Sequence, residues 1–281
     1  MKYVLWALVL LLAAAVILTA TARLLFANKV RAEVRELYQE AEAGKAEVVT
    51  GEDLEGLPAC VRKWMEGSGV IGRERVRTTR LKQQGMMQPD PGKPWMPFTA
   101  EQYFNFEPPG FVWFAHIKAA PLVHIAGRDR YYEGRGHMLI KVMSLFKVAD
   151  AVGVEIDQGS LVRFFSEILW SPSAALYDYI QWEAIDDRSA RATVNLRGVT
   201  ASGVFTFDQQ GNPVSFSARR YREQGGSYTL EDWYVRVGEY REFDGVRLPA
   251  RAEVIWKLPE GDLKWLQLEI TEVEYDRPPA Y

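Results

Sequence analysis

The chain is poor in the residues that most often advertise chemistry. It holds one cysteine, Cys60, and three histidines in 281 residues. A single cysteine excludes an intrachain disulfide framework and any multi-cysteine metal site, and it fits either side of a bacterial-type membrane. Charge of one sign is lacking too: 34 Lys and Arg against 37 Asp and Glu leave a net charge of −3, which gives no reason to expect a nucleic-acid partner. The signatures G-x-S-x-G, H-E-x-x-H, C-x-x-C and the Walker A loop are missing. One formal G-x-G-x-x-G runs from Gly67 to Gly72. It follows a helix pattern and precedes a strand pattern, the reverse of the order that sets a pyrophosphate on a helix N-terminus, so it reads as a helix stop and a turn. His116, His124 and His137 show no ligand spacing. No cofactor and no metal are expected. His137 alone keeps interest, because Gly134 and Gly136 beside it let a ligand or another backbone come close.

Two things are abundant. The first is one apolar run: Tyr3 to Ala22, YVLWALVLLLAAAVILTATA, carries no charge and at about 1.5 Å per residue is long enough to cross a hydrocarbon core of about 30 Å. Ala20-Thr21-Ala22 resembles a signal-peptidase site, yet the run exceeds the roughly 7–15 residues of a signal-peptide core, so an uncleaved anchor is favoured over a cleaved signal. Residues 23–56 form an amphipathic stalk and linker. Val30, Val34, Leu37 and Ala41 recur at helical spacing up to a stop at Gly44, and the stalk reads as a solvated spacer helix. Lys2 precedes the span while Arg23, Lys29, Arg31 and Arg35 follow it, which by charge bias places the remainder in the cytoplasm.

The second is aromatic residues: 9 Trp, 13 Tyr and 13 Phe need a large interior or an apolar ligand surface. Residues 57–281 read as one mainly β domain. LPACVRKWMEGSG is a short helix with Pro58 in its first turn and Gly67 as its stop. FTAEQYFNF alternates, with Phe98, Ala100, Phe104 and Phe106 on one side, whereas FVWFAHIK and GHMLIKVMSLFKV are apolar on both parities and so are covered on both faces. Turn-linked strands continue to the C-terminus, including a hairpin around Gln210-Gly211-Asn212. The pattern predicts a long curved antiparallel sheet with one helical excursion, near residues 157–180, packed on it.

That excursion contains RFFSEILWSPSAAL. At 100° per residue Leu161, Phe164, Phe165, Ile168 and Leu169 share one face and Arg163, Ser166, Glu167 and Trp170 the other. Arg before Glu at this spacing is the weaker helix pair, so local helix stability is a poor reason for it. In VSFSARRY, Arg220 shares parity with Val214, Phe216 and Ala218, and an inward arginine needs a carboxylate or a polar ligand. Arg163, Glu167 and Arg220 are therefore expected to form one partly buried cluster beneath Trp170, with Glu167 between the two arginines. An Arg–Glu clamp and a ligand site fit it equally.

The segments LPACVRKWMEGSGVIG, Trp95-Met96-Pro97-Phe98, GRDRYYEGRGHM, RFFSEILWSPSAAL, Gly203 to Asp208 and SARRY resemble a family of membrane-anchored bacterial proteins, a domain of unknown function related in fold to the lipoprotein carriers LolA and LolB. The resemblance implies an open half-barrel whose concave side is apolar and covered by helices, in relatives that bind acyl chains or act as envelope sensors. It also implies a β domain outside the cytoplasm, against the Lys/Arg count. The expected function is binding of a lipid or other apolar ligand at the inner membrane. The alternatives are an envelope sensor or scaffold with a protein partner, and a hydrolase using Glu167, Asp129 or His137. Expected ligand contacts are Arg163, Glu167, Trp170, Arg220 and His137 with the apolar Trp113, Phe114 and Phe165. Phe164, Met138, Ile140 and Phe216 are expected to border the same interior.

Overall fold

The computed structural model describes residues 1–39, 41 and 47–279. One unbroken helix, α1 (Lys2–Gln39), carries both the apolar run and the stalk. The stop at Gly44 lies outside the described residues. After a 3-10 turn at Glu52–Leu54 comes α2 (Ala59–Ser68), which is preceded by Pro58 as its cap and ends at Gly69 rather than Gly67. Gly69 takes the left-handed conformation (φ +79°) that terminates a helix without penalty only when no Cβ is present.

Six strands follow: β1 (Thr78–Met87), β2 (Met96–Phe106), β3 (Pro109–Ala120), β4 (Val123–Tyr132), β5 (Arg135–Val142) and β6 (Phe146–Ala151). The helix α3 (Val154–Ser166) and two 3-10 turns, Glu167–Trp170 and Pro172–Leu176, lead to seven more: β7 (Ile180–Asp186), β8 (Ser189–Leu196), β9 (Val199–Phe207), β10 (Pro213–Gln224), β11 (Ser227–Phe243), β12 (Val246–Leu258) and β13 (Gly261–Tyr275). All thirteen form one antiparallel sheet in the order β6-β5-β4-β3-β2-β1-β13-β12-β11-β10-β9-β8-β7. The chain thus walks to one edge, crosses the concave side through α3, starts again at the other edge and returns to pair β13 with β1. The result is a curled half-barrel.

Strand alternation explains the layering. On the concave side, Phe104, Phe106 and Tyr131 pack around Phe164 of α3, and Phe205 and Phe216 pack edge-on against Phe165. Trp64 of α2 completes this core against Phe205 and Phe207. The opposite parity of β2–β5 faces outward, and it is not bare. Val30, Val34, Leu37 and Tyr38 of α1 bury themselves against Tyr103 and Val112, while Phe26 packs on Phe114 at 5.7 Å and near Leu139. The stalk is therefore not a solvated spacer. Its apolar stripe needed a partner, and the convex face of its own sheet supplies one. Glu33 of α1 and Arg128 of β4 seal the contact as an ion pair at 3.1 Å.

The strand GHMLIKVMSLFKV is two strands, with a turn at Met143 and Ser144 in positive φ. Only the first is covered on both faces; Phe146 and Val148 on the edge strand β6 are exposed.

Candidate functional site

The concave side is not filled everywhere. Where α3 gives way to its 3-10 turn, a cavity of about 340 Å³ remains between the helix end, β3–β5 and β11–β13. That volume lies at the small end of the ~300–1,000 Å³ range of ligand sites. Its walls are mostly apolar: Trp113, Met138, Ile140, Trp233, Val254 and Trp265 contribute to them.

Its polar groups sit together. Arg163, in the last turn of α3, donates from Nε to Glu167 Oε1 at 3.0 Å and from Nη1 to Asp129 Oδ2 at 2.7 Å. The side chains of Arg163, Asp129 and Glu167 are only 15%, 12% and 11% exposed, so these are not surface pairs. The guanidinium also lies 4.8 Å from the Trp113 ring centre and 5.1 Å from that of Phe111. From Glu167 the hydrogen bonds continue across the sheet: Gln102 Nε2 donates to Glu167 Oε2 (2.6 Å), Gln83 Nε2 to Gln102 Oε1 (2.9 Å), and Trp113 Nε1 to Gln83 Oε1 (3.1 Å). Burial pushes the Glu167 carboxyl above its ordinary value, and Arg163 offsets part of that.

Arg220 reaches the same cavity from β10. Its Nε donates to the Gly159 carbonyl at 3.0 Å, and its guanidinium lies 4.9 Å from the Trp233 ring centre and 6.0 Å from that of Trp256. Among the described residues no carboxylate bonds it. Burial pushes it down to about 10, against the pull of Asp129, so it remains charged at neutral pH.

Of the residues expected from sequence, Arg163, Glu167, Trp170, Arg220 and Trp113 line one cavity, with Met138 and Ile140. One link differs from expectation. Glu167 does not sit between two arginines; its second partner is Gln102, because Arg220 is held back by the Gly159 carbonyl. Phe114 is outside the cavity, since it follows Trp113 in a strand and must face α1. Phe165, Phe164 and Phe216 are fully buried in the aromatic core beside the cavity. His137 lies on the convex face. Its Nδ1 is 3.1 Å from Arg128 Nη2 and its Nε2 is 2.7 Å from Asp150 Oδ1, so Nδ1 accepts and Nε2 carries the proton. It is separated by the sheet from Asp129 and Glu167, and the three do not converge. What comes close at Gly136 is the backbone of α3: a Cβ there would meet the Ile156 carbonyl oxygen at 2.5 Å.

Gln83 and Gln102 lie outside the set expected from sequence, and Asp129 enters it only as an acid or base of the hydrolase alternative. Gln102 had a signal: it shares parity with Phe98, Ala100, Phe104 and Phe106, and a glutamine on an apolar parity needs a buried partner.

A search of curated proteins finds no match. Among solved structures, an outer membrane lipoprotein-sorting protein domain from Vibrio parahaemolyticus is similar at 8% identity and a TM-score of 0.38, over 72% of this chain and 87% of that one. A LolA superfamily protein from Nitrosomonas europaea is similar at 11% identity and 0.39, over 82% and 96%. A DUF1329 family protein from Desulfovibrio piger is similar at 9% identity and 0.34, over 73% and 88%. The model of a family of unknown function, DUF6544, matches residues 47–268, from just after α1 into β13, and the chain belongs to that family.

Proposed function

We propose that this protein is a membrane-anchored binding protein that holds one apolar, chain-like ligand in its concave cavity and carries out no covalent chemistry on it. The observation that supports this most is the combination of apolar walls with a compact polar floor. At ~30 Å³ for a water-sized group, about 340 Å³ holds on the order of ten such groups, so one short acyl chain fills it and two do not. The Arg163 cluster closes the floor with its own hydrogen bonds, whereas Arg220 keeps guanidinium capacity for a ligand head group.

The test is native mass spectrometry of the full chain extracted with its membrane, comparing wild type with Ala252→Phe, which adds a ring at the cavity wall. Wild type is expected to carry a single-chain amphiphile and the variant to lose it. An empty wild type, or equal occupancy in both, would sink this reading.

The anchor is α1, uncleaved, and the β domain lies outside the cytoplasm. This side follows the resemblance to envelope carriers and opposes the Lys/Arg count. Protease added to spheroplasts should digest the domain; protection until lysis would assign it to the cytoplasm.

A further inference from the structure

We infer that a basic cleft beside α1 binds the head group of an anionic phospholipid in the leaflet that α1 enters. The inference rests on α1 being an uncleaved span and concerns the convex face, away from the apolar cavity.

Arg23 is the first charge after the apolar run, which sets it at head-group level. Two open grooves of about 700 and 650 Å³ adjoin it, and both are lined by Arg23, Gln84, Thr99 and His116. β3 runs antiparallel to α1, since Leu37 packs against Gly110 and Phe26 against Phe114. Its far end therefore points back toward the membrane. Lys118 near the end of β3 and His124 at the start of β4 line the second groove, and the turn joining them ends in Leu122, 95% exposed. An apolar tip beside cations, here Lys118 and Arg23, is how interfacial segments present themselves to anionic lipid.

The positive charge here is not cancelled by the protein. Among the described residues neither Arg23, Arg31 nor Lys118 has a carboxylate partner. Arg251 is taken by Glu239 at 2.8 Å, and Glu269, the one carboxylate lining the second groove, by Arg241 at 2.7 Å. In the first groove Arg80 is shared by Glu101, Glu272 and Glu274, so that cluster adds no positive charge and the unpaired cations are Arg23, Arg31 and Lys118. Both His116 and His124 are held below the ordinary histidine value, by burial first and by Arg23 next, which leaves Arg23, Arg31 and Lys118 as the cations without a counter-ion. A phosphodiester supplies that counter-ion at the depth where Arg23 sits. Free phosphate fits the charge but not the Leu122 tip.

The test uses the full chain in nanodiscs of phosphatidylcholine mixed with phosphatidylglycerol, released into native mass spectrometry and compared with Arg23→Gln/Lys118→Gln. Wild type should retain phosphatidylglycerol over phosphatidylcholine, and the preference should drop by about fivefold for each cation removed. The occupant of the concave cavity should not change. Equal retention of the two lipids by wild type, or an undiminished preference in the variant, would overturn the inference while leaving the cavity reading intact. An intact mass that begins after Ala22 would overturn it together with the anchor.

Discussion

Arg163 and Asp129 meet at 2.7 Å across the cavity floor, and the same guanidinium holds Glu167 at 3.0 Å. Removing the arginine strands two carboxylates in a site that water reaches poorly. Arg163→Met should therefore cost on the order of 3–5 kcal/mol. In Arg163→Met/Glu167→Gln one of the stranded charges is gone, and the loss should be smaller than in the single variant. Thermal unfolding in a double-mutant cycle checks this; simple additivity would mean that the two residues are not coupled.

Glu167 also gives a pH signature. Its carboxyl is pushed above the ordinary 4.5 mainly by burial, so the folded protein keeps that proton to higher pH than the unfolded chain does. The stability this group contributes is fully present below the unfolded value and is lost as pH rises through the folded one. Relative to Glu167→Gln, wild type should lose Tm progressively as pH climbs from about 4.5. Parallel melting curves from pH 4 to 8 would show that the carboxyl titrates normally.

Core and cavity should respond differently to substitution although they touch. Phe165 is fully buried and packs edge-on against Phe205 at 5.5 Å and Phe216 at 5.7 Å. Phe165→Ala should cost about 3–5 kcal/mol and leave ligand preference unchanged. Ala252→Phe fills existing space, so it should cost less while abolishing uptake. Denaturant melts paired with a ligand-binding assay separate the two.

Much of this layout is legible in the residues. Period-2 alternation places Arg220 inward with Phe216, and the helical spacing of Arg163 and Glu167 brings them together as an i,i+4 pair. Neither depends on distant contacts. Trp113 and Phe114 show the limit: β3 is apolar on both parities, and hydrophobicity alone cannot tell which side is cavity and which is helix contact. The stripe Val30, Val34 and Leu37 announces a buried face but not its partner, because that partner lies on strands more than sixty residues later. Pairing of β1 with β13, which curls the sheet and so creates the cavity, joins Thr79 to Tyr275 and leaves no local trace. The glutamine bridge from Trp113 to Glu167 is likewise assembled from three strands and a helix end.

The convex face makes its own prediction. Arg128 is completely buried on its side chain and 3.1 Å from Glu33, which also holds Lys29 at 2.9 Å. Glu33→Gln removes the only carboxylate ion-paired with Arg128 among the described residues. The expected loss is on the order of 3–5 kcal/mol, and amide exchange over Val30–Tyr38 should speed up as α1 loosens from the sheet. Unchanged exchange there would mean that apolar contacts alone hold the helix.

Arg220 should set the head-group preference of the cavity. Its Nε is committed to Gly159, Trp233 lies under its plane, and no carboxylate takes its remaining donors among the described residues. Asp129 and Glu167 are already engaged by Arg163, so a carboxylate or phosphate on a bound chain is the natural acceptor. A hydrogen bond to a charged group contributes about 1.5–3 kcal/mol, equivalent to roughly ten- to a hundred-fold in affinity. Wild type should accordingly bind dodecanoate over dodecanol by about that factor, and Arg220→Met should bind both alike, with dodecanol affinity little changed. The measurement is competitive displacement of a fluorescent fatty-acid probe from the full chain in detergent. Equal affinity for acid and alcohol in wild type would leave Arg220 as a strut between α3 and β10; a preference that survives Arg220→Met would shift the head-group contact to Arg163.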